Sequence, residues 1–145
     1  MRDQKTMPGH LARRFQQQAV AAFNAELTEI AGDLTPVQYS TLLAVMKRPG
    51  IDQATLASTI AHDRATITGV IDRLVKKGLL TRNISEADRR SRMLRITQEG
   101  ADLLAKVQPA VDRAQQQMVS KLSDDEQEQF ITLLRKATAL SSDDA

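Results

Sequence analysis

Apolar residues recur at three- and four-residue intervals through most of the chain, the spacing that gathers side chains on one face of an α-helix. Leu11, Phe15, Ala19, Ala22, Phe23, Leu27 and Ile30 mark such a face over residues 10–31, and Gly32-Asp33 closes it. Thr35-Pro-Val-Gln38 has the form of a capping box with proline at the first helical position. It opens a helix carrying Val37, Leu42, Leu43, Val45 and Met46, which stops at Pro49-Gly50. Asp52 is placed to cap a shorter helix holding Leu56, Ala57 and Ile60, and Ala61-His62 turns the chain into the next one. In that helix Ile67, Val70, Ile71, Leu74 and Val75 form the apolar stripe, Asp63 is the N-cap and Gly78 the stop. Lys76 and Lys77 sit in its last turn, where the helix dipole favours cations. A short helix, a tight turn and an amphipathic second helix make a helix-turn-helix.

After Gly78 the period changes from 3.6 to 2. Leu79–Ile84 and Met93–Thr97 alternate like strands, separated by the arginine-laden segment Ser85-Glu-Ala-Asp-Arg-Arg-Ser-Arg92. A hairpin with a long cationic tip behind such a helix is a wing. Thr97 caps a helix over about residues 98–119, which Pro109 should bend or split in two. Ser123-Asp-Asp-Glu126 is a second capping box, opening a last helix with Phe130, Leu133, Leu134, Ala137 and Leu140 on one side, before a polar, frayed tail at Ser141–Ala145. The expected fold is mainly α with a small β-hairpin wing: a winged helix-turn-helix core over 35–97, with helical dimerisation regions at 1–34 and 98–145. The terminal helices carry apolar faces that the core does not use. Their simplest partners are each other and the same helices of a second copy, giving a two-fold homodimer; a monomeric bundle is the alternative.

The polar face of the 63–78 helix carries Arg64, Ala65, Thr68, Gly69, Asp72 and Arg73, with nothing bulky near its N-terminal half. A face this short can approach a duplex closely and read base edges; an ordinary amphipathic surface helix would look much the same. Charge distinguishes the two. Over residues 62–95 there are nine basic side chains against four acidic ones, a net +5, so the rest of the chain carries −3 of the overall +2. A basic block in an otherwise mildly acidic chain is what a polyanion-binding face requires.

The remaining composition mainly excludes. With 41% hydrophobic and 26% charged residues, the 145-residue chain is of globular type and can bury a core. The lack of a long apolar run or an apolar leader points to a cytoplasmic protein with no membrane partner. Without cysteine, disulfides and thiolate metal sites are excluded. His10 and His62 lack metal-ligand spacing, and there is no HExxH and no glycine-rich phosphate loop, so no catalytic residue, metal or cofactor is expected. Asp124, Asp125, Glu126 and Glu128 read as favourable charges at a helix N-terminus.

Two segments, Arg64-Ala-Thr-Ile-Thr-Gly-Val-Ile-Asp-Arg-Leu-Val-Lys-Lys-Gly-Leu-Leu80 and Asp88-Arg-Arg-Ser-Arg-Met-Leu-Arg-Ile-Thr-Gln-Glu-Gly100, resemble the MarR family of dimeric winged helix-turn-helix transcription factors. The resemblance covers essentially the whole chain. It implies a repressor on an inverted-repeat DNA operator, released by a small aromatic carboxylate. It places Arg64, Thr66, Thr68, Gly69 and Arg73 in or beside the major groove and Arg90 at the wing tip in the minor groove, with Arg89 and Arg92 beside it. Asp88 would brace the wing by pairing with a neighbouring arginine. For the wing arginines the plain alternative is a solvated loop. For Thr66 and Thr68 it is a hydroxyl bonded back to its own helix. For Gly69, close approach to DNA and simple tolerance both stand.

In the family the effector pocket draws on the first two helices and the fifth. That makes His10, Arg13, Arg14, Gln17, Tyr39 and Leu43 the effector candidates, with either Arg13 or Arg14 holding the carboxylate; an exposed helix face is the alternative. Met7-Pro-Gly-His-Leu-Ala-Arg-Arg-Phe15 and Thr35-Pro-Val-Gln-Tyr39 are similar to the branch that represses nicotinic acid degradation, whose effector is 6-hydroxynicotinic acid. A second class of function fits the same charges: a winged-helix protein–protein adaptor docking an acidic partner.

Overall fold

The computed structural model describes residues 1–60 and 62–139. Ala61, Leu140 and the tail Ser141–Ala145 lie outside the described residues. A 3-10 turn at Gln4–Thr6 precedes six helices and two strands: α1 (Pro8–Ala31), α2 (Pro36–Lys47), α3 (Gln53–Thr59), α4 (Arg64–Lys76), β1 (Leu80–Ile84), β2 (Arg92–Ile96), α5 (Gln98–Met118) and α6 (Asp124–Ala137). The architecture is the expected one, mainly helical with a hairpin wing. Both capping boxes close on both sides. Thr35 and Ser123 each accept from the amide three residues on, while Gln38 and Glu126 reach back to the cap amides.

The chain divides into two compact units. One comprises Leu27–Pro109 and the other Met1–Glu26 with Ala110–Ala145, so that α1 and α5 each contribute to both. In the first unit Leu42, Val45, Leu56, Ile67, Ile71, Leu74, Leu80, Leu94 and Val107 are almost wholly buried, and the α4 stripe supplies three of them. The strands pair antiparallel with Leu80 opposite Ile96 and Arg82 opposite Leu94. Leu94 also exchanges backbone hydrogen bonds with Gly50 and Ile51, so the segment entering α3 is tied to the wing. Thr97 Oγ1 accepts from Gly100 N and donates to the Gly78 carbonyl, fixing α5 to the end of α4. In the second unit Phe23, Ala110, Val111 and Ala114 are buried and Phe15 meets Phe130 edge-on at 5.2 Å. Arg113 there bonds Glu26 at 2.9 Å.

Two expectations change. Pro109 does not split its helix: it lies inside α5, which runs from Gln98 to Met118. Pro109 is on the exposed side, where water can serve the carbonyl that loses its N–H partner. On α2, Met46 is exposed while Gln38 and Thr41 are buried. Each polar group is satisfied locally: Gln38 Oε1 accepts from Thr35 N, and Thr41 Oγ1 donates to the Val37 carbonyl. That removes the usual penalty for burying them. No helix among the described residues is long and apolar enough to cross a membrane.

Candidate nucleic-acid interface

Both helices of the helix-turn-helix begin with the same device. Asp52 accepts from Thr55 N and Oγ1, both at 2.8 Å, and Asp63 accepts from Thr66 N at 2.8 Å and Oγ1 at 2.9 Å. These donors, backbone amide first, hold both carboxyls below the ordinary value of 3.8. The caps start α4 cleanly and leave Arg64, Ala65, Thr66, Thr68, Asp72 and Arg73 exposed on one side, with Gly69 half-buried between them.

The Thr66 hydroxyl donates to Asp63, and the Thr68 hydroxyl donates to the Arg64 carbonyl at 2.8 Å. Both protons are therefore used inside the helix. What each threonine offers outward is a methyl group and oxygen lone pairs.

At the wing tip Asp88 holds the turn through backbone: its carboxylate accepts from Arg90 N at 3.0 Å, and its own amide donates to Ser85 Oγ. The expected pairing of Asp88 with an arginine side chain does not form; its carboxylate is turned to the Arg90 amide of its own turn, and no guanidinium among the described residues lies within ion-pair distance. Arg89 and Arg90 are exposed, and Arg92 reaches back to the Arg89 carbonyl at 3.1 Å. None of Arg64, Arg73, Arg89 and Arg90 meets a carboxylate among the described residues.

A cleft of ≈430 Å³ gathers these pieces. Asp52, Gln53 and Ala54 at the start of α3 form one side, Arg64 and Thr68 of α4 another, and Asp88, Arg90, Ser91 and Arg92 of the wing tip the third. It unites four of the candidates, Arg64, Thr68, Arg90 and Arg92; Thr66, Gly69, Arg73 and Arg89 are not part of its lining. Sequence reasoning misses the contribution from α3. It also misses Arg82 of β1, which bonds Asp72 of α4 at 2.6 Å and Gln53 of α3 at 3.3 Å. An arginine between Leu80 and Ile84, at the inward parity of a strand, is the available signal.

The effector candidates fall in different units. On α1, His10 is half-buried and Arg13, Arg14 and Gln17 are exposed. On α2, Leu43 is half-buried and Tyr39 is buried with its hydroxyl donating to Gln108 Oε1 at 2.8 Å. No cluster of three His, Asp or Glu able to hold a metal occurs among the described residues.

Residues 32–91 match the sequence profile of the MarR family. Transcriptional regulator HosA of Escherichia coli O157:H7 is 35% identical over 127 residues, spanning 88% of this chain and 91% of that protein. The chain belongs to the MarR family. Members share its winged-helix form: the crystal structure of the transcriptional regulator PcaV from Streptomyces coelicolor, in complex with its natural ligand, superposes with a TM-score of 0.88 at 34% identity over 96% of each chain. BpsR of Bordetella bronchiseptica, whose DNA binding is regulated by 6-hydroxynicotinic acid, gives 0.88 at 29% identity over 95% of this chain and 97% of its own. As a MarR-family member the chain is a winged-helix transcriptional regulator.

Proposed function

We propose that the chain acts as a homodimeric, sequence-specific repressor on an inverted-repeat DNA operator and is released by a small aromatic carboxylate. One observation carries this reading: Arg64, Thr68, Arg90 and Arg92, from the capped helix and the wing tip, converge around one cleft whose carboxylates, Asp52 and Asp88, are held by backbone amides. Arg64, Thr66, Thr68, Gly69 and Arg73 serve the major groove, while Arg89, Arg90 and Arg92 serve the backbone and minor groove at the wing. Two-fold pairing is supported by the exposure of Leu11 on α1 and of Ile131, Leu133 and Leu134 on α6, apolar area that helices of this kind seldom leave in water. The operator half-sites then lie about one helical turn, ~10 bp, apart.

For the effector, support comes from the relatives: PcaV has a natural ligand and BpsR responds to 6-hydroxynicotinic acid. On this chain the exposed guanidinium groups of Arg13 and Arg14 beside His10 are the groups suited to a carboxylate, and 6-hydroxynicotinic acid is the first compound to try. The ligand acts by binding better to a dimer whose reading heads do not match adjacent grooves.

The test is fluorescence anisotropy with a duplex enriched from a random library, alone and with aromatic acids. Arg90→Ala should weaken binding to all sequences and flatten the salt slope by about 0.9 for each phosphate that is no longer neutralised. Operator affinity untouched by Arg90→Ala and by Thr68→Ala together would remove the assigned DNA face. Binding to heparin and duplex alike without sequence preference would favour the adaptor instead. Ligand release that survives both Arg13→Ala and Arg14→Ala would exclude the α1 arginines.

A further inference from the structure

Arg82 occupies the register position between Leu80 and Ile84, on the strand face shared with Leu94. Leu80 and Leu94 are buried there, so a cation entering that layer needs an acceptor. It finds two on different elements, Asp72 Oδ1 of α4 at 2.6 Å and Gln53 Oε1 of α3 at 3.3 Å, both through Nη1. Among the described residues these are the only side-chain hydrogen bonds joining the strands to α3 and α4. Asp72 is also the one acid within α4, and it stands next to Arg73 on the polar face.

We propose that Arg82 is a positioning residue for DNA recognition. By bridging Asp72 and Gln53 it locks the wing to the helix-turn-helix, so that the wing arginines and the reading face of α4 meet a duplex as one rigid head. The inference rests on the DNA-binding reading given under Proposed function. Rigid presentation matters because a loose wing must be ordered on binding, and that ordering subtracts from affinity. Were Arg82 instead a direct phosphate ligand, Asp72 would be a competitor for it, and the two roles make opposite predictions for Asp72.

The experiment compares wild type, R82M, R82K and D72A on a fluorescent duplex enriched from a random library by the wild-type protein, across a salt series, with circular dichroism melts as a folding check. The positioning role predicts that R82M weakens binding roughly tenfold and D72A severalfold, with an unchanged salt slope. R82K, which keeps the charge without the guanidinium fork, should fall between wild type and R82M. D72A binding as tightly as wild type or tighter overturns the proposal, as does an R82M salt slope reduced by about 0.9, the value of one phosphate. D72A decides alone if R82M fails to fold, because Asp72 is 53% exposed and its loss is mild for the fold. A wild-type protein that enriches no sequence removes the DNA-binding reading and this proposal with it. Enrichment by wild type with R82M and D72A both indistinguishable from it removes the Arg82 role only.

Discussion

Replacing Gly69 with alanine separates what the fold needs at this position from what a partner outside the fold needs. Gly69 lies mid-way along α4, its φ is not positive, and a Cβ built on it meets nothing within 4 Å. Nothing internal therefore calls for glycine. Alanine should stabilise the helix by about 0.8–1 kcal/mol, part of it by restricting the unfolded chain. In a chain of this size that corresponds to a rise in Tm of roughly 2–4 °C.

The DNA reading predicts the opposite sign for binding. Gly69 adjoins Thr68 on the face assigned to the major groove, and a methyl that holds the backbone off the bases loosens that whole face at once. A loss of at least about tenfold in affinity, ~1.4 kcal/mol, is expected by anisotropy on the enriched duplex. Gly100→Ala is the control. A Cβ there would collide with the Leu79 carbonyl oxygen and with the Ile96 side chain, so this substitution should destabilise by about 1–3 kcal/mol. A Gly69→Ala protein that melts higher and binds DNA as tightly as wild type would refute the close-approach argument. One that melts lower would refute the description of open space around Gly69.

The remaining predictions concern the helix caps, the threonines and the α6 surface. Since the Thr68 proton is already given to Arg64, Thr68→Val should keep the selected sequence preference, whereas Thr68→Ser, lacking the methyl, should relax it at one base pair; the reverse ranking would show that the hydroxyl does the reading. Asp33, Asp52 and Asp63 have carboxyls held below 3.8, by Lys77 for the first and by the Thr55 and Thr66 amides for the others. From about a unit above that value downward, the unfolded chain binds more protons than the native one. Stability should thus be full above about pH 5, fall as pH drops through the unfolded and then the lower folded values, and fall less in Asp52→Asn; urea midpoints that already decline between pH 7 and 6 would contradict this. Leu133→Glu with Leu134→Glu should convert a dimer to monomer by light scattering without lowering helix content, and an unchanged mass would place the two-fold interface elsewhere.

Local signals were legible from the residues, and long-range polar pairings were not. A cap is decided within four residues, so Thr35, Asp52, Asp63 and Ser123 could each be assigned from sequence, and each caps as expected. Hairpin boundaries followed from the change of period to within one residue. Burial on α2 was harder to read, because Gln38 and Thr41 bring their own hydrogen bonds inside and can take places a hydropathy pattern gives to Met46. The Arg82 tie spans 10 residues to Asp72 and 29 to Gln53, and no periodicity links those positions. The same holds for the cleft, whose α3 side becomes part of the site only when the wing folds over in front of it.

The charges of residues 62–95 sort by what each group already touches. Three of the four acids have their oxygens engaged internally: Asp63 by the first turn of α4, Asp72 by Arg82, and Asp88 by the Arg90 amide. A carboxylate satisfied by N–H donors is stable as an anion, and at Asp72 the charge is also offset by the Arg82 guanidinium. The guanidinium groups of Arg64, Arg73, Arg89 and Arg90 have no acceptor among the described residues, so each keeps its donors for the outside. The net +5 is therefore unevenly used: the acids mainly serve as framework, while Arg64, Arg73, Arg89 and Arg90 face solvent. Segregation of this kind lets a chain of overall charge +2 present a concentrated cationic face.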